Sequence, residues 1–259
     1  MKILYSSFLI LSTLFGIILF SGCSQTDTST TSKAATYIGE SKTFGSDSIR
    51  SWVKTDVNGN PSSVGVTFKA SAFASLEKDT EMMTMAMLPT MMSGGMMTMM
   101  AMPFDHVEID WVPMGDPAPS PYDSAHLDCH FMTVSMMDQM GMMSGMDTTK
   151  MDMKYLPNGY MMDNMAEEGM GVHCMDTTGK EFHGQHFDHA FVYGFYHGNM
   201  AFMETMCAKS FLAAKTTSTT DIKQPQAFKK SGYYPLKYTV AYDAASQQYS
   251  ISLDNLTSH

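Results

Sequence analysis

The stretch SIRSWVKTDVNGNPSSVGVTF, Ser48 to Phe68, decides the fold class. Apolar and polar residues alternate on both sides of Asn58-Gly59-Asn60-Pro61, the pattern of two half-buried strands joined by a turn. Similar signals recur downstream. PFDHVEIDWVP, HLDCHFMTVSMM, GMGVHCMD, HAFVYGFYHGNMAFMETM, PLKYTVAYD and QQYSISL all read as short strands rich in β-branched and aromatic residues. KASAFASLEK allows no more than a two-turn helix. The spacing predicts an all-β domain, or a β-rich one with one or two short helices, arranged as a sandwich or barrel with long Met-rich loops. No internal repeat is visible.

The N-terminus speaks to compartment. Met1-Lys2, an apolar run from Ile3 to Phe20 and Ser21-Gly22 ahead of Cys23 have the charge, apolar centre and small-residue cleavage site of a secretory signal. LFSGC resembles a lipobox, so residues 1–22 are expected to be removed and Cys23 to carry lipid. An ordinary signal peptide and a single transmembrane anchor are the alternatives. Residues 24–36, SQTDTSTTSKAAT, read as a flexible tether, which leaves 37–259 as one β-rich domain. The chain is therefore expected to be an exported cell-envelope lipoprotein, facing the periplasm or the cell surface, or else a secreted protein. Its contact with the membrane would be through the lipid only. A formal charge of −10 argues against a nucleic-acid partner and suits the attraction of cations.

Methionine is the compositional anomaly, at 30 of 259 residues. The first dense run holds Met82, Met83, Met85, Met87, Met91, Met92, Met96, Met97, Met99, Met100 and Met102. The second holds Met136, Met137, Met140, Met142, Met143 and Met146. Ser93-Gly94-Gly95 should prevent one continuous helix, and both runs are expected as insertions near 82–102 and 136–153, between strands or at their ends. Thioether sulfur is soft, uncharged at every pH and unable to form disulfides, so dense methionine in an exported chain points to Cu(I) or Ag(I). The competing readings are a flexible core filler and an oxidant sink.

Histidine forms the second constellation. In HLDCHF, His126, Asp128 and His130 are two residues apart and share one face of a strand. His173 in GVHCMD and Glu204 in FMETM can join them from other strands, and such a set suits Zn, Fe, Mn or Cu(II). A buried hydrogen-bonded cluster is the bland alternative. His183, His186 and His189 form another candidate group. Cys129, Cys174 and Cys207 are out of phase with these ligands and should point to the opposite face. They allow one disulfide (129 with 174, 129 with 207, or 174 with 207), a three-thiolate Cu(I) site, or free thiols. No G-x-S-x-G, P-loop, dinucleotide fingerprint or H-E-x-x-H is present, so catalysis would have to come from a metal.

The strand order and the pattern W-x-P-x-G, H-x-D-x-H-F, G-V-H and E-x-M resemble a secreted bacterial family of unknown function typified by a Thermus thermophilus protein. The resemblance covers most of residues 37–257. Trp111, Pro113, Gly115, Tyr122, Asp123, His126, Asp128, His130, His173, Glu204 and Met206 fall on its positions. Asp116 stands where the family has a histidine, and Cys129 and Cys174 replace aromatic residues. The resemblance implies a secreted β-rich domain carrying the His/Asp/His set and names no reaction.

The reading favoured by the whole sequence is a metal-binding envelope lipoprotein whose Met loops take Cu(I) or Ag(I) for buffering, tolerance or delivery. The His/Asp site is separate, and a homo-oligomer or a metal-transfer partner is compatible with this role. A cupin-like metal enzyme and an oxidant-scavenging structural protein are the alternatives.

Overall fold

The structure, a computed structural model, describes residues 33–93, 96–98, 102–147 and 149–259. The expected signal peptide, lipidated Cys23 and most of the tether lie outside the described residues, as do Met99 and Met100. In chain order the strands are β1 (Ala35–Phe44), β2 (Asp47–Thr55), β3 (Pro61–Lys69), β4 (Met82–Met87), β5 (Met91–Ser93), β6 (Met96–Thr98), β7 (His106–Val112), β8 (His126–Met132) and β9 (Gly145–Met146). Then come β10 (Tyr160–Glu167), β11 (Gly171–Asp176), β12 (His189–Tyr196), β13 (Asn199–Ala208), β14 (Ser218–Asp221), β15 (Tyr233–Tyr234), β16 (Lys237–Asp243), β17 (Gln248–Asp254) and β18 (Thr257–Ser258). The helices α1 (Ala70–Ala74), α2 (Met136–Gln139) and α3 (Lys209–Ala213) are single turns.

The hairpin read from Ser48 to Phe68 forms as β2 and β3. Asp56 closes its turn, its Oδ1 accepting the backbone N–H of Asn58 and Asn60, both at 2.8 Å, and Gly59 supplies the positive φ. Six strands in the order β1-β2-β3-β17-β16-β14 make one sheet, and eight in the order β4-β7-β8-β13-β12-β11-β10-β9 make the other. Every pairing is antiparallel. Both sheets are open, so of the two expected architectures the sandwich forms and the barrel does not.

Alternation decides what each sheet buries. Val53, Val64, Val66, Phe68, Ile251 and Leu253 of the first sheet share a core with Val107, Ile109, Trp111, Leu127, Cys129, Phe131, Met203 and Cys207 of the second. The opposite face of the second sheet is covered by its own connecting segments. Tyr122, Met142 and Phe187 from those segments pack with Met132, Val192, Phe202 and Met206 in a second apolar cluster. β8 is consequently buried at all seven positions. Its polar residues therefore lie in an interior rather than on a wet face.

The first methionine run departs from the expected loop. Met-Met-Thr-Met-Ala-Met from Met82 to Met87 is an edge strand paired along β7. The cause is its period of two. Ala86 is fully buried in the core and Met82 packs against it, while Met83, Met85 and Met87 take the other face, opposite Asp110, Glu108 and His106. Further along the run, Met91, Met92, Met96 and Met97 are likewise strand residues rather than loop residues. They form the small hairpin of β5 and β6, in which Met91 lies opposite Thr98, Met92 opposite Met97 and Ser93 opposite Met96. The extended segments Met91–Ser93 and Met96–Thr98 pair with each other, so the run is not one continuous helix, as the Ser93-Gly94-Gly95 sequence predicts. The hairpin is a two-stranded sheet of its own, outside the eight-stranded sheet that carries the histidines.

In the second run Met137, Met140 and Met143 are exposed on a connection that contains α2, and Met146 is exposed in the two-residue edge strand β9. Met142 is the exception, buried in the second cluster, and Met102 packs against the main core. These two act as filler.

Candidate metal centre

Register builds the site. Glu108 of β7 lies opposite His130 of β8, which lies opposite Glu204 of β13, and Asp110 lies opposite Asp128, which lies opposite Met206. His173 of β11 pairs with Gly194, and Gly194 with Phe202. All these positions have the parity of the face turned away from the main core. The expected His126, Asp128, His130, His173 and Glu204 face therefore forms. Cys129, Cys174 and Cys207 fall on the opposite face, as their parity predicts.

Two imidazoles converge on one carboxylate. His130 Nε2 is 3.5 Å from Glu204 Oε1, and His173 Nε2 is 3.9 Å from Glu204 Oε2. On the other edge of the same ring, His130 Nδ1 is 3.2 Å from Asp110 Oδ2. His126 forms a neighbouring pair rather than a member of this group: its Nδ1 donates to the Ser124 carbonyl at 2.7 Å. Its Nε2 faces Asp128 at 3.2 Å and Asp116 at 3.5 Å. Asp116 is set in place by Ser120 Oγ, which donates to it at 3.0 Å.

The contacts are close without being saturated. Asp110 Oδ2, His126 Nε2, Asp128 Oδ1, His130 Nδ1 and Glu204 Oε2 are buried and lack an aligned hydrogen-bond partner. Such groups cost about 1–3 kcal/mol each when left unmet, more when charged, so five on one floor require an explanation. Among the described residues two groups of three could hold a metal ion: His130, His173 and Glu204, and Glu108, Asp110 and His130. In each, the ligand atoms lie within 4.8 Å of one another.

The electrostatics are those of a site with surplus acid. Burial raises Glu204, against the opposing pull of His130, and burial with the nearby Asp110 raises Glu108. Burial likewise raises Asp128. Burial opposes the charge on His126 and His130, but Asp116 and Asp128 carry the first up to about 11, and Glu204 and Asp110 carry the second to about 10. His173, desolvated and beside His130, falls to about 4 and stays neutral, the form in which imidazole ligates a metal.

The floor opens into a cleft of about 1060 Å³, lined by Asp110, Asp128, His130, His173 and Glu204. Methionine lines it too. Met82 and Met83 come from the edge strand, and Met161, Met162, Met170, Met175 and Met206 come from elsewhere. Sequence reading puts the soft and the harder ligands in separate sites, yet here they share one cleft, and it misses the last five methionines because they belong to no dense run. Glu108, Asp110 and His106 escape it as well. They stand two apart in FDHVEIDW, so the parity argument applied to His126, Asp128 and His130 finds them. A buried chain supports them: His106 bonds Asp105 at 2.9 Å and Gln139 Oε1 at 2.9 Å, and Gln139 Nε2 donates to Glu108 at 2.6 Å.

Other expectations are corrected. None of the three disulfides forms. Cys174 is separated from Cys207 by β12, and Cys129 and Cys207 are offset, opposite Thr205 and Leu127. A three-thiolate site fails for the same reason, and burial pushes Cys174 up to about 12 and the other two thiols well above their usual range. His183 and His186 are not drawn into a buried cluster, whereas His189 bonds the Tyr238 hydroxyl at 2.8 Å. No shared group forms among these three.

Phe202 sets the two imidazoles, its ring 4.9 Å from His130 and 5.0 Å from His173. It lies over Gly194, where an added Cβ would come within 2.1 Å of the ring. Gly194→Ala should therefore displace Phe202 and destabilise by about 1–3 kcal/mol, read as a lower melting temperature. An unchanged value would show that the ring has room to move.

Residues 56–111 match the model of the TTHB210-like family, described as hypothetical protein TTHB210. This agrees with the resemblance read from the strand order. The matched segment runs from the β2–β3 turn through Trp111 and so contains Glu108 and Asp110, while His130, His173 and Glu204 lie beyond it. No curated protein and no solved structure matches the chain.

Proposed function

We propose that this chain is an exported, lipid-anchored metal-binding protein that holds a transition-metal ion on His130, His173 and Glu204, with copper as the metal its cleft favours. The observation that carries the reading is the approach of two imidazole Nε2 atoms to the two oxygens of one buried carboxylate, at 3.5 and 3.9 Å. Ligands about 2.0–2.2 Å from a tetrahedral ion stand about 3.3–3.6 Å apart, so the set needs little movement to close on one. Two imidazoles and a carboxylate suit Zn, Fe, Mn or Cu(II). The methionine lining adds soft ligands for Cu(I), so copper is served in both oxidation states, for buffering, tolerance or delivery. The lipobox-like LFSGC supports export. Among the described residues no helix is long and apolar enough to cross a membrane.

Competition against chromogenic chelators tests this. The full chain is expected to hold Cu(II) with submicromolar affinity. His173→Ala should weaken the ion held on His130, His173 and Glu204 by about 100-fold or more, since even residues that merely support a ligand cost about 10–100-fold. Replacing Met83, Met161 and Met162 together by Leu should weaken Cu(I) and leave Zn(II) unchanged. No binding in the micromolar range, or His173→Ala indistinguishable from the parent, overturns the reading. Equal Cu(I) affinity in the Leu variant returns these methionines to filler.

A second reading rests on the openness of the site. Three protein ligands facing a cleft leave a position for water or substrate, the arrangement of catalytic metal sites. Substrate turnover that disappears in His173→Ala would select it.

A further inference from the structure

We infer that the centre takes two metal ions and that the His130 imidazole bridges them. The inference rests on the metal reading above and concerns the same floor. His130 belongs to both ligand groups, with His173 and Glu204 on one side and with Glu108 and Asp110 on the other. The ring presents a different nitrogen to each: Nε2 to Glu204 and Nδ1 to Asp110. The two nitrogens of an imidazole diverge and cannot serve one ion, so occupation of both groups means two ions.

Sheet register makes the arrangement rigid. Glu108, His130 and Glu204 form one rung across three adjacent strands, which places a carboxylate on either side of the ring at strand spacing, about 4.8 Å per step. Unmet atoms lie on both sides: Glu204 Oε2 on one, and the buried His130 Nδ1 with Asp110 Oδ2 on the other. The Nδ1 to Asp110 separation of 3.2 Å fits two ligands of one ion. On that side Gln139 holds the Glu108 carboxylate and is itself held by His106, the kind of outer support that orients metal ligands. One ion on Glu204 would leave Glu108 and Asp110 uncompensated, and a second neutralises them. Metal-free His130, held as a cation between Asp110 and Glu204, carries a proton on each ring nitrogen. The first ion displaces one of these protons to solvent, and the second displaces the other.

Titration of the full chain with Cu(II), followed by electron paramagnetic resonance with glycine present to strip weak surface sites, tests this. Two ions per chain are expected, with a combined signal far below that of two isolated ions because the shared ring couples their spins. His173→Ala, and separately the isosteric pair Glu108→Gln with Asp110→Asn, should each bind one ion with full signal. One ion in the parent chain, unaffected by the Glu108/Asp110 pair, overturns the second position and leaves the first reading standing. Two ions with a full additive signal overturn the bridge. No bound ion overturns both readings. The count and signal of the parent chain decide the matter even if a variant fails to fold.

Discussion

His130→Ala is expected to abolish metal uptake and to lower the melting temperature of the metal-free protein by roughly 6–20 °C. The figure follows from about 3–5 kcal/mol for breaking a buried charge pair and about 2–4 °C per kcal/mol in a domain of this size. His130 is buried between Asp110 and Glu204, and without its charge those carboxylates face each other across a desolvated interior. The control is the double variant His130→Ala with Glu204→Gln. Removing one of the stranded carboxylates should recover a large part of the loss, and a double-mutant cycle by thermal unfolding measures it. Equal destabilisation in the single and double variants would mean that lost packing against Phe202, rather than charge, sets the cost.

The second large effect is an opposed pH dependence with and without metal. In the metal-free protein His126 and His130 have folded pKa values raised to about 11 and about 10 from 6.5. Their stabilising contribution is complete below pH 6.5 and is lost as pH rises toward those values. Glu204, raised from 4.5 to about 8, binds more protons folded than unfolded between those values, so it also loses stability as pH rises. His173, lowered to about 4, has the opposite sign, but its effect ends at pH 6.5. Between pH 6.5 and 8 the shifts that remain act together. Each can contribute up to about 1.4 kcal/mol per pH unit, so a fall of at least about 5 °C between pH 6.5 and 9 is expected with a chelator present. Saturating Zn(II) should reverse the slope, because the ligands must lose protons to bind it. Differential scanning fluorimetry over this range provides the check. A flat metal-free profile would show that these groups do not titrate as the geometry requires.

Much of the fold is legible without coordinates. The turn at Asn58-Gly59-Asn60 and the alternation around it yield β2 and β3, because the signals are local: an aspartate that bonds its own following amides, a glycine with positive φ and a two-residue period. The same period places His126, Asp128 and His130 on one face, and Cys129 on the other. Applied to FDHVEIDW it also finds Glu108 and Asp110, which a reading for strand content alone passes over. The run from Met82 to Met87 departs from the loop its density suggests because its own alternation of small and large residues seats it as an edge strand beside the acidic face of β7. Met92 and Met97 depart from it for another reason. Two short extended segments, Met91–Ser93 and Met96–Thr98, satisfy each other's backbone groups.

Strand existence and face parity are properties of neighbours along the chain, and the sequence by itself determined them. Which strands lie side by side is not such a property. Only the sheet order β7-β8-β13-β12-β11 brings Glu108, His130, Glu204 and His173 onto one floor. Only the packing of the segments carrying Tyr122, Met142 and Phe187 turns that floor from a solvated strand face into a desolvated interior. There the spacing of the charged groups, rather than their mere presence, gives clusters that could hold a metal ion. The thioethers of Met161, Met170, Met175 and Met206 join it through the same long-range pairing, in which separations along the chain carry no information about distance in space.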